Sequence, residues 1–238
     1  MSRAVQIFCA SCGLAMLLLL FGGLVAAGWV PPVAPSESAE TVASRFVENA
    51  NGIRVGMILI LFGATCTVPF GGLLAAHMKQ IEGRFSPLTY VQIACTASGL
   101  LVIALPALVF VVAAYRPGRD PQLLLLLSDL GWISFIMNGG ALMLQTLSFG
   151  TAVLLDRRVD APFPRWLGYF GLWAAFCFLP AFVLVFFTTG PFAWNGLLSF
   201  WLAAALFGGW FLVCGAMLIR AASRPLRSTP VADPVAVP

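Results

Sequence analysis

Apolar residues in this chain do not alternate with polar ones; they run on. Apolar stretches occupy roughly Val5 to Val30, Ile53 to Ala76, Leu88 to Tyr115, Leu123 to Leu155, Leu167 to Thr189 and Trp194 to Ile219. A helix crosses the ~30 Å hydrocarbon layer of a bilayer in about 20 residues, and within that layer each backbone N–H and C=O must be bonded inside its own segment. Every stretch is long enough, so the pattern predicts an all-α, polytopic membrane helix bundle of six transmembrane helices. Breakers fall between the runs: Pro31-Pro32-Val33-Ala34-Pro35, Arg116-Pro117-Gly118-Arg119-Asp120-Pro121 and Gly190-Pro191.

The polar residues between the runs predict orientation. Lys and Arg are retained on the cytoplasmic side of a membrane. With the N-terminus inside, Arg3, Lys79, Arg84, Arg157, Arg158, Arg165, Arg220, Arg224 and Arg227 are cytoplasmic, nine of the thirteen basic residues. Arg45, Arg54, Arg116 and Arg119 are left outside. Aromatic belts fit the same N-in/C-in arrangement, with Trp29, Tyr115 and Trp194 at the outer interface and Tyr90, Trp166 and Tyr169 at the inner one. A second reading makes the first segment a cleaved signal, because Arg3 precedes an apolar run ending in Val25-Ala26-Ala27-Gly28. That run, about 26 residues, exceeds the ~7–15 of a signal core, so retention is expected.

Residues 1–222 therefore form one transmembrane domain. The stretch 223–238, rich in Pro, Ala, Val and Ser with Asp233 as its only acid, is expected to be a disordered cytoplasmic tail. In the outer segment 35–51, Val42, Phe46 and Ala50 recur at helical spacing after Ser36 or Ser38 as a cap. This predicts a short amphipathic helix on the outer leaflet, serving to orient the second membrane helix or to act as a lid.

Composition agrees: of 238 residues, 61% are hydrophobic and 9% charged, with a mean hydropathy of +0.97, against about a quarter charged in soluble domains. The net charge of +4 is spread over short loops, without the dense basic patch that nucleic acid requires. Cys9, Cys12, Cys66, Cys95, Cys177 and Cys214 all fall in apolar runs and imply no disulfide framework. Cys9-Ala10-Ser11-Cys12 lacks a second ligand pair for a metal. His77 is the sole histidine, which disfavours bis-histidine haem and di-iron chemistry. Lys79, the sole lysine, lies in a loop, away from any buried Schiff base. No cofactor or metal is implied.

Polar groups at membrane depth are the default functional candidates. Asp129 lies 27 residues from Asp156, or ~40 Å along a helix, which puts it at the outer interface within reach of Arg54 or Arg116. Anchoring there and a substrate or proton site are its two readings. On an unbroken fourth helix, Ser134, Asn138 and Gln145 share one face opposite Asp129, with Gln145 near the midplane. This neutral stripe, beside Gly139-Gly140, is either the wall of a polar cavity or interhelical glue. Thr65, Thr67, Gln92, Thr96, Ser98, Asn195 and Ser199 are candidate partners. Gly63, Thr67 and Gly71, and likewise Gly22 and Ala26, follow small-xxx-small spacing for close helix contact. Pro69, Pro106 and Pro180 mark kinks.

Phe163-Pro164-Arg165-Trp166-Leu167-Gly168-Tyr169-Phe170 and Thr189-Gly190-Pro191-Phe192-Ala193-Trp194-Asn195-Gly196-Leu197-Leu198 together resemble a group of uncharacterised bacterial six-helix integral membrane proteins. The resemblance implies a bacterial plasma membrane and a shared architecture, and transfers no activity. Three functions fit the residues. The first is a small permease or binding protein for a neutral or lipid-like molecule, with Ser134, Asn138, Gln145 and Asp129 as its ligand-binding candidates. An accessory subunit of a larger membrane complex, with a protein partner or a second copy, is the alternative. The third is an intramembrane enzyme pairing Asp129 with Glu40 or Glu48.

Overall fold

The computed structural model describes residues 2–159 and 161–223; the tail from 224 onward, with Arg224, Arg227 and Asp233, lies outside the described residues. The helices are α1 (Arg3–Ala26), α2 (Ala39–Glu48), α3 (Ala50–Glu82), α4 (Pro87–Tyr115), α5 (Pro121–Ile136), α6 (Gly140–Leu155), α7 (Arg165–Cys177) and α8 (Leu202–Ser223). A 3-10 helix, Leu179–Phe186, continues α7, and a π-helical turn, Leu197–Trp201, leads into α8. These make six apolar spans of membrane length: Arg3–Ala26, Ala50–Glu82, Pro87–Tyr115, Pro121–Leu155, Arg165–Phe186 and Leu197–Ser223. The protein is an all-α, multi-pass membrane bundle.

In the bundle α1 packs between α3 and α8, α3 against α4, and α4 against both α5 and α6, with α6 and α7 forming a hairpin. Glycines set the closest approaches. A Cβ on Gly23 of α1 would lie 2.5 Å from the Gly56 carbonyl oxygen of α3, and one on Gly150 of α6 would lie 2.7 Å from the Gly168 carbonyl oxygen of α7. No larger residue permits backbones that near. Gly63 also faces α1, and Gly71 faces Thr96 of α4, whereas Gly22 of the expected Gly22/Ala26 pair has open space beside it. The α1–α3 seam is instead built on Gly23, one residue along.

Arg3 Nη2 donates to Ser223 Oγ at 3.4 Å, so the described ends of the chain share one end of the bundle, the terminal end. The opposite, far end is closed by the segments around residues 27–49, 116–120 and 187–196.

Three features differ from the sequence expectation. The fourth run is two helices, with a turn at Met137, Asn138 and Gly139 between them. In the fifth run the α-helix ends at Cys177 and tightens to 3-10 across Pro180, a residue with no N–H to continue the ladder. Pro69 and Pro106, by contrast, sit inside the continuous helices α3 and α4. Finally, α2 does not lie free on a surface. Ser38 Oγ accepts from Thr41 N at 3.3 Å as its cap, and Ala39, Val42 and Phe46 are buried where α2 crosses α5. Ala50, expected on the same face, begins α3 instead.

The far end is consequently a packed roof. Trp29 is buried, with its ring centroid 4.4 Å from that of Phe110, 5.3 Å from Trp132 and 6.2 Å from Phe46. Trp194 is also buried. These two tryptophans, expected in a lipid-facing belt, are roof residues; Tyr90, Tyr115, Trp166 and Tyr169 are exposed on the bundle surface.

Candidate functional site

Three irregular backbone segments, the turn at 137–139, the 3-10 helix and the π turn, converge on one partly open cavity of about 130 Å³ between the helices, lined by Gly139, Ala181, Ser199 and Phe200 among others. Backbone that departs from the α-helix at membrane depth is tolerated where it is buried in protein or borders a cavity. Here it does both. The other walls come from α1 (Leu20, Phe21, Leu24), α3 (Thr67), α4 (Thr96, Gly99, Ile103), α6 (Leu142, Gln145) and α8 (Ala203, Ala204, Phe207, Phe211). Gln145 lies ten residues before the end of α6 at Leu155, or ~15 Å along the axis, close to the middle of a ~30 Å layer. Leu24 and Phe200 border the cavity toward the far end.

The lining contains no charged side chain. Its hydroxyl protons are committed locally: Thr67 Oγ1 donates to Ala64 O at 2.7 Å, Thr96 Oγ1 to Gln92 O at 2.9 Å and Ser199 Oγ to Phe192 O at 2.8 Å. Their oxygens still have lone pairs to offer, and Thr96 Oγ1 accepts from Gln92 Nε2 at 3.4 Å. Gln145 differs. Only 6% exposed, its side-chain amide has no hydrogen-bond partner among the described residues; its backbone carbonyl accepts from Ser148 Oγ. An unpaired amide facing an otherwise apolar cavity offers a hydrogen-bonding partner to whatever enters it.

The sequence-predicted residues separate. Gln145 lines the cavity, as do Thr67, Thr96 and Ser199 from the expected partner set. Ser134 is half-buried on α5 and its hydroxyl donates back to the Leu130 and Gly131 carbonyls. Asn138 sits exposed in the turn. The three do not form one stripe, because the turn at 137–139 interrupts the rotation per residue that would have aligned them. Asp129 is half-buried in α5, with no ion pair among the described residues. Arg54, its expected partner, donates instead to Ala114 O at 2.8 and 3.1 Å, to Tyr115 O and to Asn51 Oδ1, capping the end of α4. Arg116 lies over the Tyr115 ring, 5.9 Å from its centroid. Thr65 and Ser98 are exposed, away from the cavity.

A second, smaller void of about 10 Å³ adjoins the first toward the roof and shares Leu24, Ile103 and Phe135 with it. Trp132 borders it; this indole is fully buried and its N–H has no partner among the described residues. Sequence reasoning passed over Trp132 and the phenylalanine wall, since aromatic residues in apolar runs serve equally on lipid-facing surfaces. An unpaired indole N–H is visible only once its neighbours are known.

At the terminal end Arg158 donates to both Asp156 carboxylate oxygens, at 2.9 and 2.7 Å. This hydrogen-bonded guanidinium holds the Asp156 carboxyl below the usual carboxylate range against the opposing effect of burial. The pair fastens the turn between α6 and α7. His77 stands edge-on to Phe163, ring centroids 5.4 Å apart. Among the described residues no three His, Cys, Asp or Glu side chains gather as a metal site would require.

A family model described as a domain of unknown function, DUF4386, matches residues 12–215, from within α1 to within α8. The chain belongs to the DUF4386 family. Every residue lining the cavity lies inside the matched region, so the cavity is part of the DUF4386 domain itself. Neither the curated proteins nor the solved structures contain a match to this DUF4386 chain. It is an integral membrane protein whose family carries no assigned activity.

Proposed function

We propose that this DUF4386 protein is a small permease or binding protein for a neutral, lipid-like molecule, which it holds in the cavity beside Gln145. The observation that carries the reading is the convergence of three interrupted helical segments on a cavity with one unpaired, buried amide. Discontinuous membrane helices framing a midplane site are the arrangement by which transporters bind substrate. An uncharged lining favours an uncharged ligand, since a bare charge there would lose its hydration without a counter-ion. Gln145 is the polar contact in this reading. Ser134, Asn138 and Asp129 have supporting places on the same span rather than at the ligand.

We take the protein to lie in a bacterial plasma membrane with both termini cytoplasmic, a reading supported by the nine basic residues assigned to that side. The test of function is native mass spectrometry of the protein isolated in native-like lipid, wild type beside Ala204→Phe, which fills the cavity. A neutral molecule retained by the wild type and lost from the variant is expected. Equal retention by both would overturn the assignment of the cavity.

A further inference from the structure

Hydrogen-bond accounting in and around the cavity narrows the ligand further, and rests on the cavity reading above. With the Thr67, Thr96 and Ser199 hydroxyl protons spent on backbone carbonyls, two N–H groups stand out among the donors that make no hydrogen bond to a described residue. One is the Gln145 amide in the cavity wall; the other is the Trp132 indole, fully buried on the adjoining void. Both ask for an acceptor. An alkane offers none, and the single oxygen of a simple alcohol, which suits the Gln145 amide alone, reaches only one of the two donors. Phenylalanine rings, including Phe21, Phe135, Phe200 and Phe207, supply faces and edges against which a flat ring packs. The space is that of one ring: a dry cavity of ~150 Å³ accommodates benzene, and this one measures about 130 Å³.

We infer that the cavity takes an uncharged lipid whose head is a ring-sized group carrying carbonyl acceptors, the chemical class of the isoprenoid quinones. The ring packs among the phenylalanines, one carbonyl accepts from the Gln145 amide, and a second oxygen on the far side of the ring is directed toward the Trp132 N–H. The apolar tail has no polar requirement and leaves toward lipid. Binding involves no covalent or redox step.

The probes are decylbenzoquinone and decylbenzene, which share tail and ring size but differ in carbonyls, measured against full-length protein in nanodiscs with empty nanodiscs subtracted. Wild type is expected to bind decylbenzoquinone saturably and at least about tenfold more tightly than decylbenzene, the discrimination that a buried donor left unpaired would produce. Gln145→Leu should weaken the quinone by roughly tenfold and leave decylbenzene unchanged. Trp132→Phe, which removes the N–H together with the pyrrole half of the indole, should weaken the quinone relative to decylbenzene and serves if Gln145→Leu fails to fold. Equal affinity for the two probes, unaffected by either substitution, overturns carbonyl recognition while leaving the cavity as an apolar site. Saturable binding of neither probe overturns this inference and the cavity assignment together.

Discussion

The Trp194 indole N–H donates to the Val33 carbonyl at 2.7 Å, joining positions 161 residues apart in the chain. The bond is buried. It ties the segment before the π turn to the Pro-rich stretch after α1, and so fixes one edge of the roof above the cavity.

Trp194→Phe leaves a smaller aromatic ring, removes the indole N–H and strands that carbonyl. A loss of about 1 kcal/mol is expected, read as a lowered midpoint in denaturant unfolding in mixed micelles. An unchanged midpoint would mean that the roof segments are held by packing alone.

The six spans were legible because lipid demands long apolar runs and basic loop residues, and both are properties of composition. The break in the fourth span was not. Gly139-Gly140 stood in the sequence, but glycine is common in continuous membrane helices, and whether it breaks one depends on neighbours that can satisfy the freed backbone. Wheel geometry drawn through that point therefore aligned Asn138 with Gln145, although one is exposed and the other buried. Trp29 and Trp194 read as belt residues because hydropathy cannot tell an interface with lipid from one with α2 or with the Pro-rich stretch before it. The cavity is a shortfall of side-chain volume summed over several spans, a quantity no local pattern encodes. Gln145 was legible as a buried polar group; that its amide is unpaired was not.

The Gly23–Gly56 contact leaves no room for a side chain on either helix. Gly56→Val should cost about 1–3 kcal/mol through forced separation of α1 from α3, whereas Gly22→Val, which meets open space, should change stability little. Thermal unfolding of the two variants side by side checks this. Equal effects would show that the seam is not where the backbone places it.

Asp156 provides the pH dependence. Its carboxyl is held down by the Arg158 hydrogen bonds, so its stabilising contribution is complete above the unfolded value near 3.9. That contribution is lost as pH falls through the lower folded value. Arg158→Leu should cost about 1–2 kcal/mol at pH 7, the partial exposure of the guanidinium keeping it modest. The difference from wild type should shrink below pH 4. A penalty independent of pH down to 3 would locate the effect in packing.

Asp129 has no ion pair among the described residues and lies off the cavity lining. Asp129→Asn is therefore expected to leave ligand retention within about twofold and stability within ~0.5 kcal/mol. Complete loss of retention would restore Asp129 as a functional group.

We propose that the space beside Gln145 is a ligand site. A structure determined in native-like lipid tests it most directly. Density is expected for a neutral molecule among Phe21, Phe200 and Phe207, with a polar atom within hydrogen-bond distance of the Gln145 amide. A closed cavity, with that amide bonded to a neighbouring helix, would contradict it.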